Sequence, residues 1–336
     1  MNRSGNSLRV AVIGLGVGLS HVKSFNNSGF AQVTVICDQN QERLNAAKQI
    51  APFARIASNW RSAVIQDDVD IVVVATPDYF HAEMIIASLE AGKHVFAEKP
   101  ICTQQLELDG INQALQKRPD LSFSANLVLR SNPVFRELRE RIRNNELGTI
   151  SHLECDYLYG RFGNITRGWR GQPPKYSAIL GGGIHSIDLL LWLVNELPLS
   201  VFGLQSSRSS AALGLPIDDY EIGLLAFPDG LIGKTSATLA SAVPHGHSLS
   251  VHGTEKTFVY NHFGYSYLEI SSPEKNLFQK YQQHYDRGVV ATSFLNSILG
   301  ISEPIVTKIE AINSMTVALA IRQAIDSKSA VKIRYL

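Results

Sequence analysis

The sequence predicts an α/β unit with a doubly wound parallel sheet over residues 1–125, followed over 126–336 by an α+β domain on an open, largely antiparallel sheet. Three observations carry this. Short β-branched runs alternate with helical patterns through the first third. One run, "VDIVVVATP", is nearly continuous Val and Ile, the composition of a strand buried on both faces. Beyond Asn126 the strands lengthen, alternate and are joined by hairpin signals.

In order, "LRVAVI" is a strand ending in glycines and "AQVTVICD" a strand ending in an acid. "VDIVVVATP" is the buried strand, and "FHAEMIIASLEAGK" a helix with Met84, Ile85 and Leu89 on one face and Gly92 as its stop. "HVFAEKP" is a strand broken by Pro100, "TQQLELDGINQALQK" a helix, and "LSFSAN" closes the series. "NPVFRELRERIRNNELG" is an amphipathic helix ending at glycine. "ISHLECDYLYG", "DYEIGLLAFPDGLIGKTSATLA" and "HSLSVHGTEKTFVYN" are strand patterns, the second turning at Pro228-Asp229-Gly230. A late helix, "IEAINSMTVALAIRQAIDS", and a short strand, "AVKIRYL", finish the chain.

Bulk properties exclude several classes. With 45% hydrophobic and 18% charged residues, the 336-residue chain has the composition of a folded globular protein. A formal charge of +1 gives no general attraction to nucleic acid or to an anionic membrane. No apolar run reaches the roughly 20 residues of a membrane span, and "MNRSGNS" lacks the apolar segment of a signal peptide. The three cysteines, Cys37, Cys102 and Cys155, are widely spaced without metal-ligand spacing, so no metal is expected and the expected setting is the reducing cytoplasm.

The chemistry begins at "VIGLGVGLSH". Gly14 follows the first strand, where a tight turn needs a residue without Cβ. Gly16 lets backbone approach a pyrophosphate, which the helix N-terminus favours. The third glycine, Gly18, arrives one residue earlier than in G-x-G-x-x-G. The backbone amides of residues 16–19, Val17 among them, are expected to hold the phosphates. Asp38 ends the second strand, where a carboxylate accepts from both ribose hydroxyls and repels a 2′-phosphate, favouring NAD over NADP. Thr76-Pro77 and Glu98-Lys99-Pro100 end successive strands on one sheet edge, where ligands bind in open α/β folds. Lys99 there can neutralise, orient or protonate a substrate oxygen.

"LGGGIHSIDLLLWL" reads as a glycine turn running into a helix, with His185 and Asp188 sharing a face three residues apart. Asp188 can cap or fix the imidazole, and His185 is the general acid/base candidate. The preceding loop, "YLYGRFGNITRGWRGQPPKY", offers Tyr157, Tyr159, Arg161, Arg167, Trp169, Arg170, Lys175 and Tyr176. Cations among aromatics can bind a phosphate or carboxylate and stack a ring. From it Tyr159, Arg161, Trp169, Arg170 and Lys175 are expected to bind substrate with Lys99, His185 and Asp188, and the substrate is then anionic, such as a sugar acid or nucleotide-linked sugar. His245 and His247 are read as lying in a turn without a third metal ligand, "QSSRSSAA" as a loop, and Asp218-Asp219 as facing solvent.

"GLGVGLSH", "ATPDYFHA", "LEAGKHVFAEKP" and "NNELGTI" resemble successive motifs of the glucose–fructose oxidoreductase / inositol dehydrogenase / MocA family. The resemblance implies an N-terminal Rossmann dinucleotide-binding domain (1–125) and a C-terminal α+β domain (126–336) whose sheet joins a homodimer or homotetramer. It implies hydride exchange between NAD and the hydroxyl or carbonyl of a sugar or cyclitol. By the same resemblance Lys99 contacts the nicotinamide side and the reacting oxygen, and Thr76, Pro77, His81 and Glu98 line the cofactor. Many relatives carry an aspartate four residues before the histidine of the third motif; here that position is Gly181. Three alternatives follow: His185 and a tyrosine supply the proton path, the chemistry is altered, or the chain is a non-catalytic sensor that binds NAD or sugar. A further reading keeps the cofactor bound while a substrate is isomerised or dehydrated.

Overall fold

The structure, a computed structural model, describes residues 7–161, 163, 165, 168–171, 176–212, 217–281 and 286–336. The chain divides into two units. One runs to Ser131 and takes in Asp286–Ile312; the other is built from Asn132 onward and from Asn313–Tyr335.

The first unit holds the six strands β1 (Leu8–Ile13), β2 (Ala31–Cys37), β3 (Arg55–Ile56), β4 (Ile71–Val74), β5 (His94–Ala97) and β6 (Phe123–Ala125). They lie in the order β3-β2-β1-β4-β5-β6, and every neighbouring pair is parallel. The order reverses between β1 and β4, the place where open sheets of this kind take a ligand. β4 is buried along its whole length, as its unbroken β-branched sequence requires. Helices α1 (Gly18–Asn27), α2 (Gln41–Ile50), α3 (Trp60–Val64), α4 (His81–Glu90) and α5 (Gln105–Lys117) connect the strands. Gly92, at φ +78°, ends the turn after α4.

A single cut at 125/126 does not describe this unit, because it also owns the helix Arg287–Ile298. Phe294 of that helix lies 5.5 Å from Phe96 of β5, ring to ring, and Ser124 donates to the Val306 carbonyl. Burial of these apolar side chains against β5 and β6 holds the late segment to the first sheet.

The second unit contains α6 (Pro133–Arg143) and a sheet of β7 (Ile150–Leu158), β8 (Ser200–Ser206), β9 (Tyr220–Ala226), β10 (Ile232–Thr238), β11 (Gly246–Gly253), β12 (Thr257–Asn261), β13 (Gly264–Leu268), β14 (Gln279–Lys280) and β15 (Val331–Lys332). The order is β14-β13-β12-β11-β7-β10-β9-β8-β15. Among the described residues only the β7–β10 pair is parallel, so the sheet is largely antiparallel. β9 and β10 form the hairpin turned by Pro228-Asp229-Gly230. α7 (Ile184–Val194) lies buried along β7, and residues Asn313–Ser327 of the helix Lys308–Ser327 cover β8 and β9.

Three local expectations are corrected. Arg208–Ala212 is a short helix, α8, rather than loop. Asp218 and Asp219 are buried, with Asp219 accepting from Ser210, because a polar partner inside removes the need for solvent. His247 belongs to β11, not to a turn.

Candidate active site

In the first unit, strand pairing sets the candidate residues in a row. Ile13 pairs with Cys37 and with Val74, Val74 with Ala97, and Ala97 with Ala125. The next residue of each strand is therefore level: Asp38, Gly14, Ala75, Glu98 and Asn126 along one carboxyl edge.

The three glycines of the first turn have separate jobs. Gly14 sits at φ +85°, and a Cβ there would lie 2.5 Å from the Ala75 carbonyl oxygen, so only glycine fits. A Cβ on Gly16 would meet only the Arg43 guanidinium, at 3.8 Å, leaving the backbone open to a ligand. A Cβ on Gly18 would lie 3.2 Å from Ala75 Cβ and 3.3 Å from Val12 Cγ1. Gly18 is the first residue of α1, with Val17 at its N-cap. Close helix–strand contact is thus kept although this glycine comes one residue early.

Asp38 Oδ2 accepts from the Leu15 amide at 2.6 Å and Oδ1 from the Asn40 amide at 2.8 Å. A carboxylate has about four acceptor positions, so each oxygen retains capacity for a ribose hydroxyl. Arg43 stands 3.7 Å from the same carboxylate; it follows Asp38 by five residues and reaches back from the first turn of α2. The glycine turn, the acid beside it and the open backbone at Gly16 fit a dinucleotide.

Glu98 is turned inward. Its Oε1 lies 2.8 Å from His21 Nε2 and accepts from Asn126 at 2.7 Å. Burial alone would raise its pKa, but the His21 hydrogen bond and charge, with Lys99 and Asn126, hold it far below the usual carboxylate range. Glu98 therefore braces the glycine-turn helix against β5 and β6. His81 is fully buried, with Nδ1 2.7 Å from the Pro100 carbonyl and Nε2 2.7 Å from the Thr76 carbonyl, so it ties the Thr76-Pro77 and Lys99-Pro100 strand ends together. Thr76 Oγ1 reaches Met84 Sδ. Lys99 is half-buried at the strand end, and its peptide bond to Pro100 is cis.

In the second unit, residues 179–183 form a wide π-type helical turn that runs straight into α7. The expected glycine turn is thus already helix, and the glycines are needed because side chains sit on them. A Cβ at Gly182 would lie 2.1 Å from Tyr157 Cε1, and one at Gly183 2.7 Å from Ile179 Cδ1. Glu221 anchors the segment, accepting from Ser177 Oγ at 2.8 Å, from the Ile179 amide at 2.5 Å and from Arg322. Burial pushes the Glu221 pKa up against these favourable partners.

His185 is the second residue of α7 and 8% exposed. Asp188 is fully buried and accepts from Ser314 at 2.9 Å, which removes it from the substrate-binding set. Sequence reasoning missed His247, whose ring meets that of His185 edge-on at 6.1 Å and that of Tyr157 at 5.2 Å. A signal existed: His247 alternates with Leu249 and Val251, the buried face of β11. Tyr159 lies 5.9 Å from Tyr157 and 5.2 Å from His245. Arg170 lies over Trp169 at 4.4 Å and over Tyr176 at 5.4 Å. Burial first, then Tyr176 and Tyr159, push the Tyr157 pKa up, against Arg170 and Arg161, so its phenol stays protonated. Arg161 is exposed; Lys175 and Arg167 lie outside the described residues. Among the described residues there is no group of three or more His, Cys, Asp or Glu that could hold a metal ion.

Within the first unit, the glycine turn, the acid beside it and the open backbone at Gly16 define a dinucleotide-binding class of protein. Residues 8–125 match the oxidoreductase family with an NAD-binding Rossmann fold, and residues 135–259 match the GFO/IDH/MocA C-terminal domain. The chain belongs to the GFO/IDH/MocA family.

It is 28% identical over 269 residues to levoglucosan dehydrogenase of Pseudarthrobacter phenanthrenivorans, covering 70% of this chain and 67% of that one. It is 28% identical over 217 residues to inositol 2-dehydrogenase of Corynebacterium glutamicum (strain R), covering 63% and 62%. The latter match thus spans less than two thirds of the relative's length. The fold is that of scyllo-inositol dehydrogenase from Lactobacillus casei with bound NAD(H) and scyllo-inositol: TM-score 0.79, 18% identity, 97% of this chain and 99% of that one.

Proposed function

We propose that the chain is a dehydrogenase that exchanges a hydride at a carbinol carbon of a carbohydrate or cyclitol, that it prefers NAD to NADP, and that its substrate is anionic. The observation that carries this reading is the level row Asp38–Gly14–Ala75–Glu98, open at Gly16 and continued by Lys99. When bound, the nicotinamide accepts or returns the hydride. The amides of residues 16–19 at the start of α1 hold the pyrophosphate. Asp38 takes the ribose hydroxyls with its remaining lone pairs and disfavours a 2′-phosphate. Thr76, Pro77 and His81 shape the adjoining strand ends. Lys99 stabilises negative charge as it develops on the reacting oxygen, and His185 takes the hydroxyl proton.

The anionic character is supported by Arg170, whose guanidinium lies against both Trp169 and Tyr176, and by Arg161 nearby in sequence. Tyr159 and Trp169 offer flat faces to a sugar ring. Cytoplasmic residence is supported by three free, buried cysteines. A homodimer or homotetramer is supported by the exposed apolar residues Leu204, Leu224 and Ile232 on one face of β8, β9 and β10.

The test is reduced-nicotinamide absorbance with NAD across inositols, neutral sugars, sugar acids and nucleotide-linked sugars. Turnover of an anionic member is expected, falling about 100-fold or more in Lys99→Ala. Equal turnover of neutral and acidic members would remove the anionic assignment. Tight NADH binding without turnover across the panel would favour the sensor.

A further inference from the structure

Position 181 stands one helical turn before His185, on the same face. A side chain cannot grow there. An ideal Cβ on Gly181 would lie 1.8 Å from the Tyr176 hydroxyl oxygen, 2.2 Å from its Cζ and 2.7 Å from its Cε2. The space is already filled, and the atom nearest its centre is the phenolic oxygen. A phenylalanine at 176 would fill the ring volume equally well, so packing alone does not account for an oxygen placed there.

The surroundings hold that oxygen in place. Tyr176 is 9% exposed. Its ring meets Trp169 edge-on at 5.7 Å and lies under the Arg170 guanidinium. The next residue, Ser177, is tied to buried Glu221. Tyr157 sits on Gly182 through its ring edge, Cε1 and Cδ1, so the two successive glycines carry two tyrosines but only Gly181 carries a hydroxyl. Glycine is the poorest helix former after proline, so both positions give up helix stability to make room for the two rings.

We infer that Tyr176 is a substrate-binding residue of the catalytic centre, its hydroxyl supplying beside His185 the polar group that position 181 lacks. The assignment rests on the dehydrogenase reading above. In the oxidising direction the substrate hydroxyl proton passes to His185, while Tyr176 keeps its own proton and donates it in a hydrogen bond to the reacting oxygen. No additional acid or oxidant is needed. A neutral donor of this kind binds an oxygen more strongly as negative charge develops on it, so its effect falls on turnover more than on ground-state binding.

The experiment compares wild type with Tyr176→Phe, Tyr176→Ala, Gly181→Ala and the double variant Tyr176→Ala/Gly181→Asp, each assayed with the best substrate of the NAD panel and melted without ligand. Tyr176→Phe keeps the ring contacts and is expected to lose at least 10-fold in kcat with KM changed less than threefold. Gly181→Ala is expected to match that loss and to melt lower, because its methyl displaces the hydroxyl. The double variant is expected to recover activity over Tyr176→Ala, since removing the phenol opens room for an acid at 181. Full turnover by Tyr176→Phe, or a Gly181→Ala protein with unchanged melting and activity, would overturn the assignment alone. A wild-type protein that binds NADH but turns over no member of the panel would overturn the dehydrogenase reading, and this assignment with it.

Discussion

Glu98 and Lys99 are adjacent yet face opposite requirements. The carboxylate is buried against His21 and Asn126, while Lys99 is only half-buried at the strand end. Because the folded-state pKa of Glu98 is depressed below its ordinary 4.5, its ionised form contributes stability in full above that value. The contribution is lost as pH falls through 4.5 towards the folded value. Glu98→Gln is therefore expected to cost roughly 2–3 kcal/mol near neutrality and to flatten the loss of stability below pH 4.5. Urea unfolding at a series of pH values checks both; an unaltered acid limb would show the charge to be idle.

At this scale the sequence was legible wherever a residue's job is fixed by its place on a strand end. Gly14, Asp38 and Lys99 are such residues. It was illegible where the job depends on contact across the chain. Nothing local to "EKP" says that the glutamate turns inward, and nothing local to "GGGIH" says that a tyrosine five residues earlier fills the space at Gly181.

Helix Lys308–Ser327 rests on a pair of glycines. Gly203 of β8 and Gly223 of β9 are direct cross-strand partners. A Cβ on Gly223 would lie 2.6 Å from Ile321 Cδ1, and one on Gly203 2.7 Å from Ile325 Cγ1. The bare backbone lets the helix approach closely, and both isoleucines are buried there. Gly223→Ala is expected to destabilise by about 1–3 kcal/mol through overpacking, and Ile321→Val in the same protein to restore part of it. Additive losses in the denaturation midpoints would refute the close contact. Most elements were readable from period: four-residue buried β4 from its Val/Ile run, the β9–β10 hairpin from Pro-Asp-Gly. The helix Arg287–Ile298 was not, because its attachment to the first sheet depends on Phe294 meeting Phe96, residues far apart in sequence.

On the side of the second sheet away from Ile321 and Ile325, Phe202 faces Leu224, Leu204 faces Ile222, and Ile232 faces Ala226 across β8, β9 and β10. Leu204 is 57% exposed, Leu224 46% and Ile232 55%. A contiguous apolar strip of this kind is costly in water and suits contact with a second copy of the chain. Light scattering is expected to give a dimer or tetramer for wild type, and protomer mass for Leu224→Arg combined with Ile232→Arg. A monomeric wild type would reject the arrangement.

Glu221 also links distant stretches of the second unit. The same buried carboxylate that holds Ser177 and the Ile179 amide accepts from Arg322, 101 positions later. A premature stop codon just upstream of Arg322 would leave every residue assigned a chemical role intact in the translated product. It would nevertheless remove the counter-charge that steadies the segment beneath Tyr176. Gene truncations that spare all the recognisable motifs should therefore not be read as benign.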